Sequence, residues 1–214
     1  MKKNSMKNLL LAAAVMVGST GLAHASYIQT TFTSGTTTQI AGATVVDFNS
    51  GLPANYSGDG AVLPFSIAGM SAAPAGDATP FLSVAFPWSS GSESYVATLG
   101  QAYNYFGLYW GSIDDYNSLQ FFLGNTLVGA FTGLDVLASG AAIGDQTSAG
   151  SNRFVNFFFG DLSFNRIVFS TTQYAFESDN HAFANVAVPE PTTIALMALG
   201  LFAITWVRRR QRIT

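Results

Sequence analysis

Nine aspartates and two glutamates lie between residues 26 and 187, and two short blocks concentrate them. Asp114, Asp115 and Asn117 follow a run of aromatics, and Glu177, Asp179 and Asn180 stand just before His181. Carboxylate and amide oxygens on short side chains are hard donors, so each block is a candidate Ca²⁺ ligand set of two or three oxygens. Neither block has EF-hand spacing. Asp and Asn also favour such turns because their side chains bond nearby backbone amides. Calcium is thus a candidate, and no other cofactor is implied.

Aromatic residues crowd the same region. Trp110, Tyr109 and Tyr116 have flat faces on which a sugar ring can stack, with Asp and Asn nearby for its hydroxyls. Tyr109 and Trp110 are neighbours, so on one strand they point to opposite faces. At most one of them faces the core of a half-exposed strand.

The residues for catalysis are thin. Glycoside cleavage needs two facing carboxylates, and nothing in the sequence brings Glu93 and Glu177 together. Asp114 and Asp115 are adjacent and would diverge on a strand. His181 is the one histidine beyond residue 25, no G-x-S-x-G elbow accompanies it, and its expected place is a turn or strand edge. With no cysteine, thiol nucleophiles and thiolate metal sites are excluded. The chain reads as non-enzymatic.

Charge is unevenly placed. Residues 26–187 hold eleven acids against Arg153 and Arg166 alone, a net −9 without a single lysine. Such a surface has no electrostatic means of binding a phosphate backbone, which excludes nucleic acid as a partner. Only 10% of all residues are charged and 49% are apolar. That composition argues against intrinsic disorder and against a coiled coil.

The remaining basic residues mark the two ends. Lys2 and Lys3 precede the apolar run 9–17, and Ala23-His24-Ala25 is an A-x-A cleavage site. Residues 1–25 therefore read as a signal peptide cut between Ala25 and Ser26. At the other end Pro189-Glu190-Pro191 is followed by an apolar run to Val207 and then by Arg208, Arg209, Arg210 and Arg212. Residues 192–207 would make roughly 24 Å of helix, a thin single span, with the arginines holding the tail in the cytoplasm. The two prolines keep Glu190 in an extended, accessible segment.

This three-part tail, 188–214, resembles the PEP-CTERM sorting signal. The resemblance implies that an exosortase acts at Pro189, Glu190 and Pro191, which are acted upon and catalyse nothing. It also implies an inner-membrane-anchored precursor that becomes a cell-surface or extracellular protein, set among exopolysaccharide or biofilm matrix. The blocks 105–117 and 176–181 are similar to those of exosortase-dependent surface proteins with short β-sandwich ectodomains.

Residues 26–187 show almost no helical periodicity. Short β-rich runs recur between Gly, Ser, Asn, Asp and Pro, as an all-β domain requires. Strands are expected over 28–33, 44–48, 62–67, 81–86, 95–99, 103–110, 118–123, 127–131, 154–159, 166–170, 174–177 and 182–187. Gly124-Asn125 should turn a hairpin, and 176–181 should be a turn before the last strand. The run 154–159 is apolar on nearly both faces and should be covered on both sides. The expected fold class is all-β, a two-sheet sandwich that is jelly-roll-like, with an open barrel or β-solenoid as alternatives. No fixed 20–50-residue period supports the solenoid.

The sequence thus leads to an exported, non-enzymatic surface or matrix protein. A secreted Ca²⁺-dependent carbohydrate-binding module is the alternative, with an extracellular polysaccharide as partner.

Overall fold

The computed structural model of the chain describes residues 28–87 and 93–187. The signal segment with Ala25 and Ser26, Trp88, and the tail with Pro189, Glu190 and Pro191 lie outside the described residues. Among those described, no helix is long and apolar enough to cross a membrane.

Alternating apolar residues and frequent turn formers give twelve strands, all paired antiparallel. They are β1 (Gln29–Thr33), β2 (Thr44–Val46), β3 (Tyr56–Gly58), β4 (Gly60–Leu63), β5 (Phe81–Val84) and β6 (Glu93–Tyr103). After them come β7 (Tyr105–Gly111), β8 (Asn117–Leu123), β9 (Thr126–Thr132), β10 (Arg153–Phe158), β11 (Phe164–Thr171) and β12 (Phe176–Ala184). A single helical turn, α1 (Gly133–Val136), follows β9.

The strands form two sheets. The larger runs β1-β10-β7-β12-β5-β4, with β2 pairing the later half of β12, and the smaller runs β3-β6-β11-β8-β9. From β5 onward the chain changes sheet at every step except the β8–β9 hairpin. Gly124 makes that hairpin possible, since its φ of 58° suits glycine.

The core lies between the sheets. Phe106, Leu108 and Trp110 of β7 meet Leu119 and Phe121 of β8 and Ile167 and Phe169 of β11. Ring centroids of Phe106 and Phe121 stand 5.6 Å apart, one sheet to the other. The other face of β7 is covered too: Tyr105 and Tyr109 join Phe154 and Ala182 beneath Ile40 and Ala43. A Cβ at Gly107 would fall 2.7 Å from the Phe154 ring, so glycine there lets that ring cross. β10 is covered on both faces as expected, with Phe154, Val155, Asn156 and Phe157 all buried.

Two expectations need correction. Residues 176–181 are not a turn: they belong to β12, which pairs β7 on one side and β5 and β2 on the other. A register shift between Asp179 and Ala182, with Asn180 at φ 52°, bulges the strand there. The polarity of Glu177, Asp179 and Asn180 imitated a loop, whereas each has a hydrogen-bond partner within the fold: Ala72 and Ser112 for Glu177, Thr79 for Asp179, Asp77 for Asn180.

His181 is likewise not at an edge but wholly buried. Its Nδ1 lies 3.0 Å from the Tyr56 hydroxyl and its Nε2 3.0 Å from Ser178 Oγ, while its ring stacks on Phe169. Burial pushes its pKa down to about 3. Leu123, at the end of β8, is exposed beside the hairpin turn. Finally, β3 escaped the sequence pattern because its Ser57-Gly58 reads as a turn.

Candidate functional site

The two acidic blocks meet at one end of the sandwich, though not as separate ligand sets. The β7–β8 connection brings Ser112, Asp114 and Tyr116; the β11–β12 connection brings Tyr174 and Ala175; β12 brings Glu177. A tight turn at 66–72 closes one wall and Gly144 with Gln146 another, enclosing a pocket of about 310 Å³. The turn is held by the Ile67 and Ser71 backbone, whose N–H···O bonds measure 2.8 and 2.9 Å.

Glu177 is buried in the wall. Its Oε1 accepts from the Ala72 N–H at 2.8 Å and its Oε2 from the Ser112 hydroxyl at 3.1 Å. Burial outweighs these bonds and lifts its pKa to about 8, so the side chain keeps its proton near neutrality. Asp114 is half-buried, and burial raises it to about 6, with Asp115 adding to the rise and the Tyr116 hydroxyl opposing it. Tyr116 donates to the Tyr174 carbonyl at 2.7 Å and is itself pushed up by burial.

Two residues that carried no sequence signal position this site. Asn152, buried, accepts with Oδ1 from Ala75 N–H (3.0 Å) and Ser112 N–H (2.9 Å). Its Nδ2 donates to the carbonyls of Asp145 (2.7 Å) and Ser148 (3.0 Å). One amide thus pins three loops. Gly144, at φ 67°, passes so close to Asp114 that an added Cβ would fall 2.5 Å from Oδ1.

The other candidates lie elsewhere. Asp179 and Asn180 belong to a second cluster with Asp77. Thr79 Oγ1 bonds both Asp179 Oδ2 (2.8 Å) and Asp77 Oδ1, and Asn180 Nδ2 donates to Asp77 Oδ2 at 3.0 Å. Burial raises Asp179 to about 7. Asp115 is exposed, and Asn117 is buried with Nδ2 on the Ala175 carbonyl. Among the described residues no three His, Cys, Asp or Glu side chains converge in a way that could hold a metal ion. The two calcium turns are therefore re-sorted, Glu177 joining Asp114 and Asp179 joining Asp77.

The aromatic platform is also corrected. Trp110 is fully buried against Phe176, and Tyr109 is buried on the opposite face with its hydroxyl on the Ala75 carbonyl. Loop 73–77 covers a face that the alternation alone left open. Of the three proposed sugar-stacking residues, Tyr116 borders the pocket described above and Tyr109 and Trp110 do not.

Against known families, the tail gives the decisive match. The model for the PEP-CTERM protein-sorting motif matches residues 187–210. The chain carries a PEP-CTERM motif. That motif marks an exported, exosortase-targeted protein, as the Pro-Glu-Pro, apolar and arginine order implied. The match covers the sorting tail and leaves the β-domain unassigned. No curated protein and no solved structure matches the PEP-CTERM chain.

Proposed function

We propose that residues 26–187 form a non-enzymatic domain delivered to the cell surface or the exopolysaccharide matrix. In this reading the signal peptide is removed between Ala25 and Ser26, and the tail anchors a precursor in the inner membrane. Exosortase then acts at Pro189-Glu190-Pro191. The observation that carries the reading is the PEP-CTERM motif over 187–210.

The domain supports it. Its only described histidine is enclosed in the core, and of the two carboxyls that share the pocket, Asp114 and Glu177, the latter has both oxygens engaged by Ala72 and Ser112. We read the strand order β5-β12-β7-β10 over β6-β11-β8-β9 as that of a jelly roll. That architecture is used by lectin domains among others, and by itself assigns no activity.

Carbohydrate binding is the second reading, and the polar pocket at Asp114, Tyr116 and Glu177 is the observation that favours it. The leading reading is tested by Pro189→Ala/Pro191→Ala in the native host. The double variant should accumulate uncut in the membrane fraction while the parent reaches the surface and matrix fractions. Normal processing of the variant contradicts the assignment.

A further inference from the structure

We infer that the pocket bounded by Asp114, Tyr116, Gln146 and Glu177 binds one neutral sugar residue, through hydrogen bonds and without calcium. This deepens the carbohydrate-binding reading by giving it a place and a ligand class.

Size and chemistry point the same way. A volume of about 310 Å³ is at the small end of ligand pockets, roughly 300–1,000 Å³. It suits one ring or the terminal residue of a polymer, not an extended chain. Each sugar hydroxyl both donates and accepts, and the walls offer both roles. Gln146 supplies an amide, Tyr116 a ring and a hydroxyl oxygen that can still accept while its proton goes to the Tyr174 carbonyl, and Asp114 a carboxyl, with peptide groups of the 66–72 turn beside them.

Charge narrows the ligand class. Arg153 and Arg166 are the only described Lys or Arg residues, and neither lines the pocket. Arg153 lies over Phe32 and Arg166 over Phe122. A phosphate, sulfate or uronate would face the Asp114 carboxylate with no cation to offset it. A cation is also poorly served. Both Glu177 oxygens are already engaged by Ala72 and Ser112, and burial keeps that carboxyl protonated near neutrality. Among the pocket's acids only Asp114 remains for it, with no second free carboxylate to balance the charge of Ca²⁺.

The site is built before any ligand arrives. Asn152 ties Ser112 to the 145–148 loop and to Ala75, so the walls belong to one hydrogen-bonded frame. Preformed walls lower the ordering cost of binding.

The test is ligand-observed NMR and calorimetry on the full-length chain in detergent. The probes are methyl glycosides of glucose, galactose, mannose and N-acetylglucosamine, with glucuronate, glucosamine and CaCl₂ as charged alternatives. At least one neutral glycoside should bind, unaffected by a calcium chelator. Gln146→Ala, at an exposed position, and Asp114→Asn should each weaken it about tenfold or more, one to two hydrogen bonds' worth. Their melting curves should stay close to the parent's. Binding only of glucosamine or CaCl₂ would make this a cation site and overturn the inference. So would no binding by any probe, or neutral-glycoside binding that Gln146→Ala leaves unchanged. None of these outcomes bears on tail processing, which the Pro189/Pro191 variant reads separately.

Discussion

Trp110 of β7 lies stacked on Phe176 of β12, ring centroids 4.4 Å apart and planes 17° from parallel. The two strands are hydrogen-bonded neighbours in the larger sheet, and the stacked pair faces the smaller one. A tryptophan that had looked like a ligand platform is instead the largest fully buried side chain among the described residues. Its Nε1 is buried without a hydrogen-bond acceptor among the described residues.

Trp110→Ala should therefore destabilise the domain by about 3–5 kcal/mol, the usual cost of emptying a large aromatic site. Trp110→Phe should cost much less, because losing ring volume is partly offset by removing an unpaired N–H. Urea unfolding of the two variants checks both. Equal, small effects would mean the ring is not packed as described.

Stability should depend on pH in a defined direction. Glu177, Asp179 and Asp114 have pKa values raised to about 8, 7 and 6, so the folded chain holds protons that the unfolded chain releases. Their contribution is full below about pH 4 and fades as pH rises through about 6 to 8. His181, held down to about 3, acts oppositely: its contribution is full above about pH 6.5 and fades as pH falls towards 3. Three acids outweigh one base, and the melting temperature should be higher near about pH 5 than near about pH 9. Glu177→Gln keeps the bonds to Ala72 and Ser112 and should flatten the alkaline limb. A melting temperature that rises from pH 5 to 9 contradicts these burials.

His181 offers a direct check on the core. It is the sole histidine of residues 26–187, so its ring ¹⁵N resonances are unambiguous. They should report a neutral imidazole still at about pH 5, as burial against Phe169 and Phe106 requires. Titration near about 6.5, the value of a free histidine, would place it in water instead.

Asn152→Ala removes the acceptor for two backbone N–H groups and the donor for two carbonyls. Unfolding free energy should fall by about 1–3 kcal/mol for each buried group left unpaired. The glycoside affinity of the pocket should fall with it, since Ser112 and the 145–148 loop lose their shared tie. A stability change under about 0.5 kcal/mol would mean Asn152 holds nothing in place.

These contrasts show what the chain's local pattern could and could not reveal. The β class, the Gly124-Asn125 hairpin and the doubly covered strand at 154–159 follow from two-residue alternation and turn chemistry, which are local. The PEP-CTERM tail is a contiguous string and was legible outright. The pocket was not, because it is assembled from segments near residues 70, 114, 145 and 175 that only the fold brings together. The stretch Glu177-Ser178-Asp179-Asn180-His181 misled for the same reason. Its polarity suggested a loop, while its partners Ala72, Thr79 and Tyr56 are a hundred residues away in the chain.

The most direct measurement is the intact mass of the protein recovered from the surface or matrix fraction of its native host. A chain that begins at Ser26 and ends near Pro189-Glu190-Pro191, without Arg208 to Arg212, is the expected result. A surface-recovered chain that still ends in its arginine cluster would contradict exosortase processing.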